Sequence, residues 1–459
     1  MHLRRTVTLF AAIALIPTLH LQAREFPAAK PAEEGFSAER LERIDTYMER
    51  AVKDGVMVGG QGVIARDGNV IYNETWGQRD REKRLPMEED TIHRLYSMSK
   101  PITGVALMIL YEEGKFLLNE PVAKYIPELA NLQVSLATAD GGVTAVSDGT
   151  QSSSTGAGDT SKAGKTRAPA RQPTIRDLMT HTAGFTYGVF GNTEVDQAYR
   201  AAELLSNHPN LQDFVAKLGK IPLQYEPGTR WHYSVSVDVQ GRLVEVLSGM
   251  KFSEFLEKRL FKPLGMSDTS FIVPNNKLKR FAQLYSPKGT PGGTNAWLTP
   301  NTSTELVVAP EMANRGYLKG ATFESGGGGL VGTADDYLRF CQMMLNGGEL
   351  NGVRILSPTT VALMSRDHLG PVAMGMGRQG SGFGLDFAVV KDAGLTGDSG
   401  SDGEYNWGGA AGTRFWIDPK ENLIGIFMVQ SLPHRTSLAG QFKVLTYQAM
   451  EEMAKGNAL

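Results

Sequence analysis

Two hairpin patterns stand near opposite ends of this chain, and the sequence between them reads mostly as helix. The β-like runs Gly59 to Ala65 and Val70 to Trp76 flank Asp67-Gly68, a dipeptide suited to a tight primed turn. Thr413 to Ile417 and Leu423 to Val429 flank Asp418-Pro419-Lys420 in the same way. Helical patterns occupy 101–115, 174–180, 196–218, 236–248 and 333–346. Ser37 is an N-cap for an earlier helix carrying Leu41, Ile44, Met48, Ala51 and Val52 on one face and closed by Gly55. A last amphipathic helix is predicted from about Thr436 to Met453. The two chain ends must therefore meet in space. The predicted fold class is α/β (α+β): an antiparallel sheet built from both chain ends, flanked by helices, with a mostly helical subdomain inserted.

Composition narrows the function. With 41% hydrophobic and 21% charged residues, the chain is neither collagen, coiled coil nor a multi-span membrane protein. Lys and Arg number 47 against 49 Asp and Glu, a net charge of −2, which leaves no electrostatic footprint for nucleic acid. One cysteine, Cys341, excludes an internal disulfide and any Cys-rich metal site. The histidines are scattered and no H-E-x-x-H occurs, so no catalytic zinc is expected. Glycine is high, at 52 of 459 residues, which calls for many tight turns or close backbone approaches.

Residues 1–23 read as a secretory signal: Arg4 and Arg5, an apolar stretch from Thr6 to Leu19, then small Ala23 at a cleavage point. The stretch is short for a membrane span, and no cysteine stands nearby to carry a lipid. The expectation is a periplasmic or secreted protein without a stable membrane anchor after cleavage. Residues 24–459 then form one composite domain. It is interrupted at about 134–172, where Asp140 to Arg171 is rich in Gly, Ser, Thr and Ala and nearly lacks large apolar side chains.

Several strings mimic known motifs. Gly327-Gly328-Gly329-Leu330-Val331-Gly332 satisfies G-x-G-x-x-G but follows no hydrophobic strand, and reads as a glycine turn feeding a helix capped by Thr333. Gly164-Lys165-Thr166 has Asp159 where a phosphate loop needs its first glycine. Gly397-Asp398-Ser399-Gly400 lacks the all-β context of chymotrypsin-like proteases. No G-x-S-x-G exists.

Ser97-Met98-Ser99-Lys100 is an S-x-x-K string, and Ser248-Gly249-Met250-Lys251 is another. Context separates them. Ser248 ends a helical pattern, whereas Ser97 begins one that continues through Pro101, Ile102, Val105 and Met108. Free N–H groups at a helix start favour negative charge, and Lys100 shares the face of Ser97 one turn on. A serine hydroxyl needs a base to become nucleophilic, and a lysine in a dry pocket can serve. The competing reading of these residues is a plain N-cap with an exposed lysine.

Two further segments decide between them: Tyr233-Ser234-Val235 and Trp407-Gly408-Gly409-Ala410. With these, the chain from about residue 33 onward resembles the serine β-lactamase and penicillin-binding-protein superfamily, most of all the class C-like carboxylesterases called family VIII esterases. Leu178 to Phe185, Pro263 to Thr269 and Ser325 to Leu330 with Asp336-Tyr337 add to the resemblance. It implies that Ser97 is the acyl-accepting nucleophile, Lys100 its proton partner, and Tyr233 a base and then an acid toward the leaving group. Trp407-Gly408-Gly409 takes the place of the family's K-T-G strand, and the amides of Ala410 and Ser97 would form the oxyanion hole. No cofactor is implied.

The departures bear on substrate. Trp407 stands where β-lactamases carry a cation, and Val235 where they often carry Asn. The groups that grip a β-lactam carboxylate are missing, and an apolar Trp suits an uncharged ester. The expected activity is hydrolysis of small carboxylic esters, with short acyl chains, through an acyl-enzyme on Ser97. The alternatives are a β-lactamase or D-amino-acid peptidase of the same superfamily, or a non-catalytic envelope-binding protein. Intact Ser97, Lys100 and Tyr233 argue against the last.

Overall fold

A computed structural model describes residues 26–137, 164–205, 209–292, 296, 301–310, 315–318, 320 and 322–454. The hairpins expected at both ends form, and they join. Strand β1 (Gly59–Arg66) turns at Asp67 and Gly68, both with positive φ, into β2 (Asn69–Asp80). From the other end, β7 (Arg414–Asp418) pairs with β8 (Leu423–Val429), and β8 runs antiparallel to β1 with Val63 opposite Ile426. The other strands of this sheet are β3 (Leu85–Pro86), β4 (Ser381–Phe383), β5 (Ala388–Val390) and β6 (Tyr405–Gly408). All eight lie in one antiparallel sheet, in the order β4-β5-β6-β7-β8-β1-β2-β3.

Alternation along β8 feeds two cores. Leu423, Phe427 and Val429 face one side, where they join Ile44 and Met48 of α1 (Ala38–Lys53) and Phe442 of α8 (Leu438–Gln448). Ile424, Ile426 and Met428 face the other side and the larger core. The ends are tied by Arg66, buried on β1, which pairs with Glu421 at 3.1 Å and donates to the Glu34 and Glu452 carbonyls. The α8 helix stops short of the expected end near Met453, because the chain there bonds back to the N-terminal segment, with Ser37 N–H on Ala449 O and Glu451 N–H on Gly35 O.

On the larger core sits α2 (Ser99–Glu112), buried on every face from Ser99 to Leu110, as a helix at a domain's centre must be. It packs against α6 (Ser236–Ser248), and α6 in turn against α3 (Ile175–Met179) and α5 (Leu211–Leu218). The single helix expected over 196–218 is two, α4 (Glu194–Ala201) and α5. Pro209 opposes helix before it, and Asn210 starts a new one by accepting the Asp213 N–H at 2.8 Å. Helix α7 (Ala334–Leu345) covers β7 and β8 and is capped by Thr333.

The signal expected at 1–23 and most of the 134–172 insertion lie outside the described residues. The two flanks of that insertion pair as a short ladder, Val134–Ser135 with Thr166–Arg167, and Val134 is buried in the helical region. Among the described residues no helix is long and apolar enough to cross a membrane.

Candidate active site

Ser97 lies between the sheet and the helical region, in a 3-10 turn (Tyr96–Met98) that leads into α2. It precedes the helix rather than beginning it. Tyr96 takes φ +46°, a left-handed conformation that costs a non-glycine residue energy and sharpens the turn presenting Ser97. Neighbours hold the turn in place: Tyr337 of α7 donates to Met98 O at 2.9 Å, and the Leu330 N–H donates to Ser99 Oγ at 3.1 Å.

Lys100, one turn on, is fully buried. Its Nζ donates to Ser97 Oγ at 3.1 Å and to the Gly327 carbonyl at 2.5 Å. The rings of Tyr233 and Tyr187 lie 4.7 and 5.3 Å from it. The glycine string that mimics a dinucleotide motif thus serves the site by offering a carbonyl to Lys100. Asp238 of α6 secures that carbonyl's segment, accepting from Ser325 Oγ and from the Gly327 N–H at 3.2 Å. Burial raises Asp238 above the usual carboxylate range, while Ser325 and Lys100 oppose the rise. The second S-x-x-K goes elsewhere: Lys251 pairs with Glu324 at 2.5 Å, and Ser248 bonds the local Met250 N–H.

Tyr233 is half-buried, stacked on Trp231 at 6.0 Å with its ring 4.8 Å from His181. Packing and placement in the cleft are both satisfied. His181 has φ +55°, is buried, and shares a 3.2 Å hydrogen bond between Nδ1 and Ser234 Oγ. Burial, then the nearby Lys100 and His232, hold its imidazole well below the usual range and therefore neutral. The sequence marked His181 only as part of a matching segment, without a role.

Trp407, on β6, is brought to the same place. Its Nε1 donates to Tyr233 Oη at 3.3 Å, and its ring meets Phe383 edge-on at 5.4 Å. Gly408 ends the strand, and Gly409 has a specific need to be glycine. A Cβ there would stand 2.5 Å from the Leu95 carbonyl and 2.2 Å from Thr413 Oγ1. The close approach expected at this glycine is to the backbone leading into Ser97. The next residue, Ala410, is half-buried, and its N–H has no backbone acceptor among the described residues.

Ser97 with Lys100, Tyr233, and the 407–410 segment, read from three separate stretches of chain, therefore converge. Asp238, Gly327 and Tyr187 join the site around Lys100, and a further residue, Arg378, lies over the Trp407 ring with its Cζ 5.1 Å from the ring centre; none carried an individual signal. A cavity of 1020 Å³ opens elsewhere, beside β2, α1 and α7, and includes none of the Ser97, Lys100, Tyr233 or Trp407 side chains.

Fold and cleft define the class, a serine hydrolase with a β-lactamase-like architecture. Residues 44–446 match the Beta-lactamase family, and the chain belongs to it. It is 29% identical to Esterase EstB of Burkholderia gladioli over 82% of this chain and 86% of EstB. It is 28% identical to Lovastatin esterase of Penicillium rubens, over 85% of this chain and 92% of that one. Among solved structures, EstCE1, described as a hydrolase with promiscuous acyltransferase activity, superposes with a TM-score of 0.70 at 25% identity, covering 89% of this chain and 99% of EstCE1. Within the superfamily the chain is family VIII esterase-like, as its motifs imply.

Proposed function

We propose that this protein hydrolyses small carboxylic esters through an acyl-enzyme on Ser97. The observation that carries the reading is the buried Lys100 Nζ, held between Ser97 Oγ and the Gly327 carbonyl beneath the Tyr233 ring. In attack, the Ser97 proton passes to the Lys100–Tyr233 pair as Oγ bonds the ester carbonyl carbon. The amides of Ser97 and Ala410 receive the developing oxyanion. Collapse breaks the C–O bond to the alcohol, and Tyr233 returns a proton to the departing oxygen. Water, activated by the same pair, then releases the acid and restores Ser97.

The names of EstB and Lovastatin esterase support an ester as substrate. The absence of a cation at position 407 supports weak β-lactam turnover. Parallel kcat/KM values for p-nitrophenyl butyrate, nitrocefin and a D-Ala-D-Ala peptide test this. Ester hydrolysis is expected to dominate, and a dominant nitrocefin or peptide rate would overturn it. We place the protein outside the cytoplasm on the basic-then-apolar pattern of residues 1–23. Material recovered from the periplasm or medium should begin at Arg24, and retention of Met1 would contradict export.

Trp407→Phe keeps the packing on Tyr233 and Phe383 but deletes the indole donor to Tyr233 Oη. Losing one hydrogen bond of this kind is expected to lower kcat by about threefold to tenfold. Steady-state rates on p-nitrophenyl butyrate measure it.

A further inference from the structure

Replacement of a cation by Trp407 leaves the K-T-G position apolar in sequence, but a cation returns to the cleft from another element. Arg378, on the loop before β4, lays its guanidinium over the Trp407 ring, with Cζ 5.1 Å from the ring centre. The side chain is half-buried. Its Nη1 donates to Asn406 Oδ1 at 3.4 Å, and Asn406 is itself fixed by donating to Glu404 Oε1 at 3.1 Å.

The surrounding charges leave Arg378 underpaired. Asp398 is taken by Arg414 at 3.2 Å and by Lys443 at 3.3 Å, and Glu404 by Lys443 at 2.8 Å. Among the described residues Arg378 forms no ion pair, and its remaining guanidinium nitrogens have no hydrogen-bond partner. Burial first, and Arg414 second, lower it to about 10 against the opposing pull of Asp398, Tyr233 and Glu404, so it keeps its charge at neutral pH. A cation held in place, partly desolvated and without a direct ion-pair partner among the described residues is arranged to receive an anion.

Position identifies which part of the substrate would carry that anion. Trp407 Nε1 bonds Tyr233 Oη, and Arg378 covers the ring of the same tryptophan. Tyr233 is the group assigned to protonate the departing oxygen, so Arg378 lies on the side of the leaving alcohol. We propose that Arg378 binds a carboxylate on the alcohol portion of the ester, making acylated hydroxy acids the preferred substrates. This rests on the ester-hydrolase reading above and refines it. The uncharged ester expected from Trp407 alone is replaced by one whose acyl part is neutral and whose alcohol part is anionic.

A matched pair of substrates isolates the charge: the butyryl ester of 3-hydroxybenzoic acid and the butyryl ester of methyl 3-hydroxybenzoate. They share acyl group and ring, and only the first is anionic at neutral pH. Wild-type protein should prefer the anionic ester by about tenfold in kcat/KM, carried mainly by KM, as a charge-assisted bond at a half-exposed site allows. In Arg378→Gln the ratio of the two kcat/KM values should fall close to one, and Arg378→Lys, which keeps the charge but loses the planar fork, should retain part of it. Equal rates on the two esters in the wild type would overturn this inference and leave the hydrolase reading standing. So would an Arg378→Gln protein that loses the same factor on both, since a guanidinium that only packs on Trp407 would act that way. Hydrolysis of neither ester, together with none of p-nitrophenyl butyrate, would overturn the hydrolase reading and this one with it.

Discussion

Ser97→Ala is expected to reduce ester hydrolysis by at least about four orders of magnitude, since removing the nucleophile of such a unit removes nearly all that the unit does. The protein should remain folded. Ser97 lies in a turn held from outside by Tyr337 and Leu330, and its own Oγ accepts one bond, from Lys100. Near-ultraviolet circular dichroism checks folding, and a fluorophosphonate probe checks the chemistry. Wild-type protein should label on the peptide containing Ser97 and the variant should not label. The rival S-x-x-K serine, Ser248, gives the control: Ser248→Ala should leave labelling intact, because Lys251 is engaged by Glu324 outside the cleft.

Lys100→Met should cost about 10²- to 10⁴-fold in kcat, the range for losing a positioned proton-transfer group. Methionine approximates the volume of the buried stem, so packing within α2 is largely retained. The charge and both hydrogen bonds, to Ser97 Oγ and to the Gly327 carbonyl, disappear. Asp238 and Asp386 are both influenced electrostatically by Lys100, and burial pushes each carboxyl upward. Without Lys100 that rise is no longer opposed from this side. The expected signature is a collapse of kcat with a far smaller change in KM, because the lysine acts in the transition state. An unchanged kcat would remove Lys100 from the mechanism.

The sheet was legible because its decisive signals are local. Asp67-Gly68 specifies a primed turn whatever surrounds it, and the unbroken apolar run Leu423–Val429 encodes a strand buried on both faces. The same holds for Ser97 and Lys100, whose spacing on one face is a property of the helix itself. Other features depend on tertiary context. Strands β4 and β5 have three residues each, too few for a period to show. The positive φ values of Tyr96 and His181 arise in residues whose chemistry does not call for them, so they are imposed by the surrounding structure. Arg378 was silent for the same reason. An arginine in a glycine-rich loop has an ordinary sequence signature, and its importance comes from lying over a tryptophan that is distant in the chain.

A covalent intermediate on Ser97 is tested most directly by rapid acid quench of the protein during turnover of p-nitrophenyl butyrate, followed by intact mass and peptide mapping. A mass increase of one butyryl group per chain is expected, located on the peptide bearing Ser97 and absent from Ser97→Ala. A butyryl group on any other residue, or turnover with no adduct alongside an undiminished Ser97→Ala rate, would contradict it.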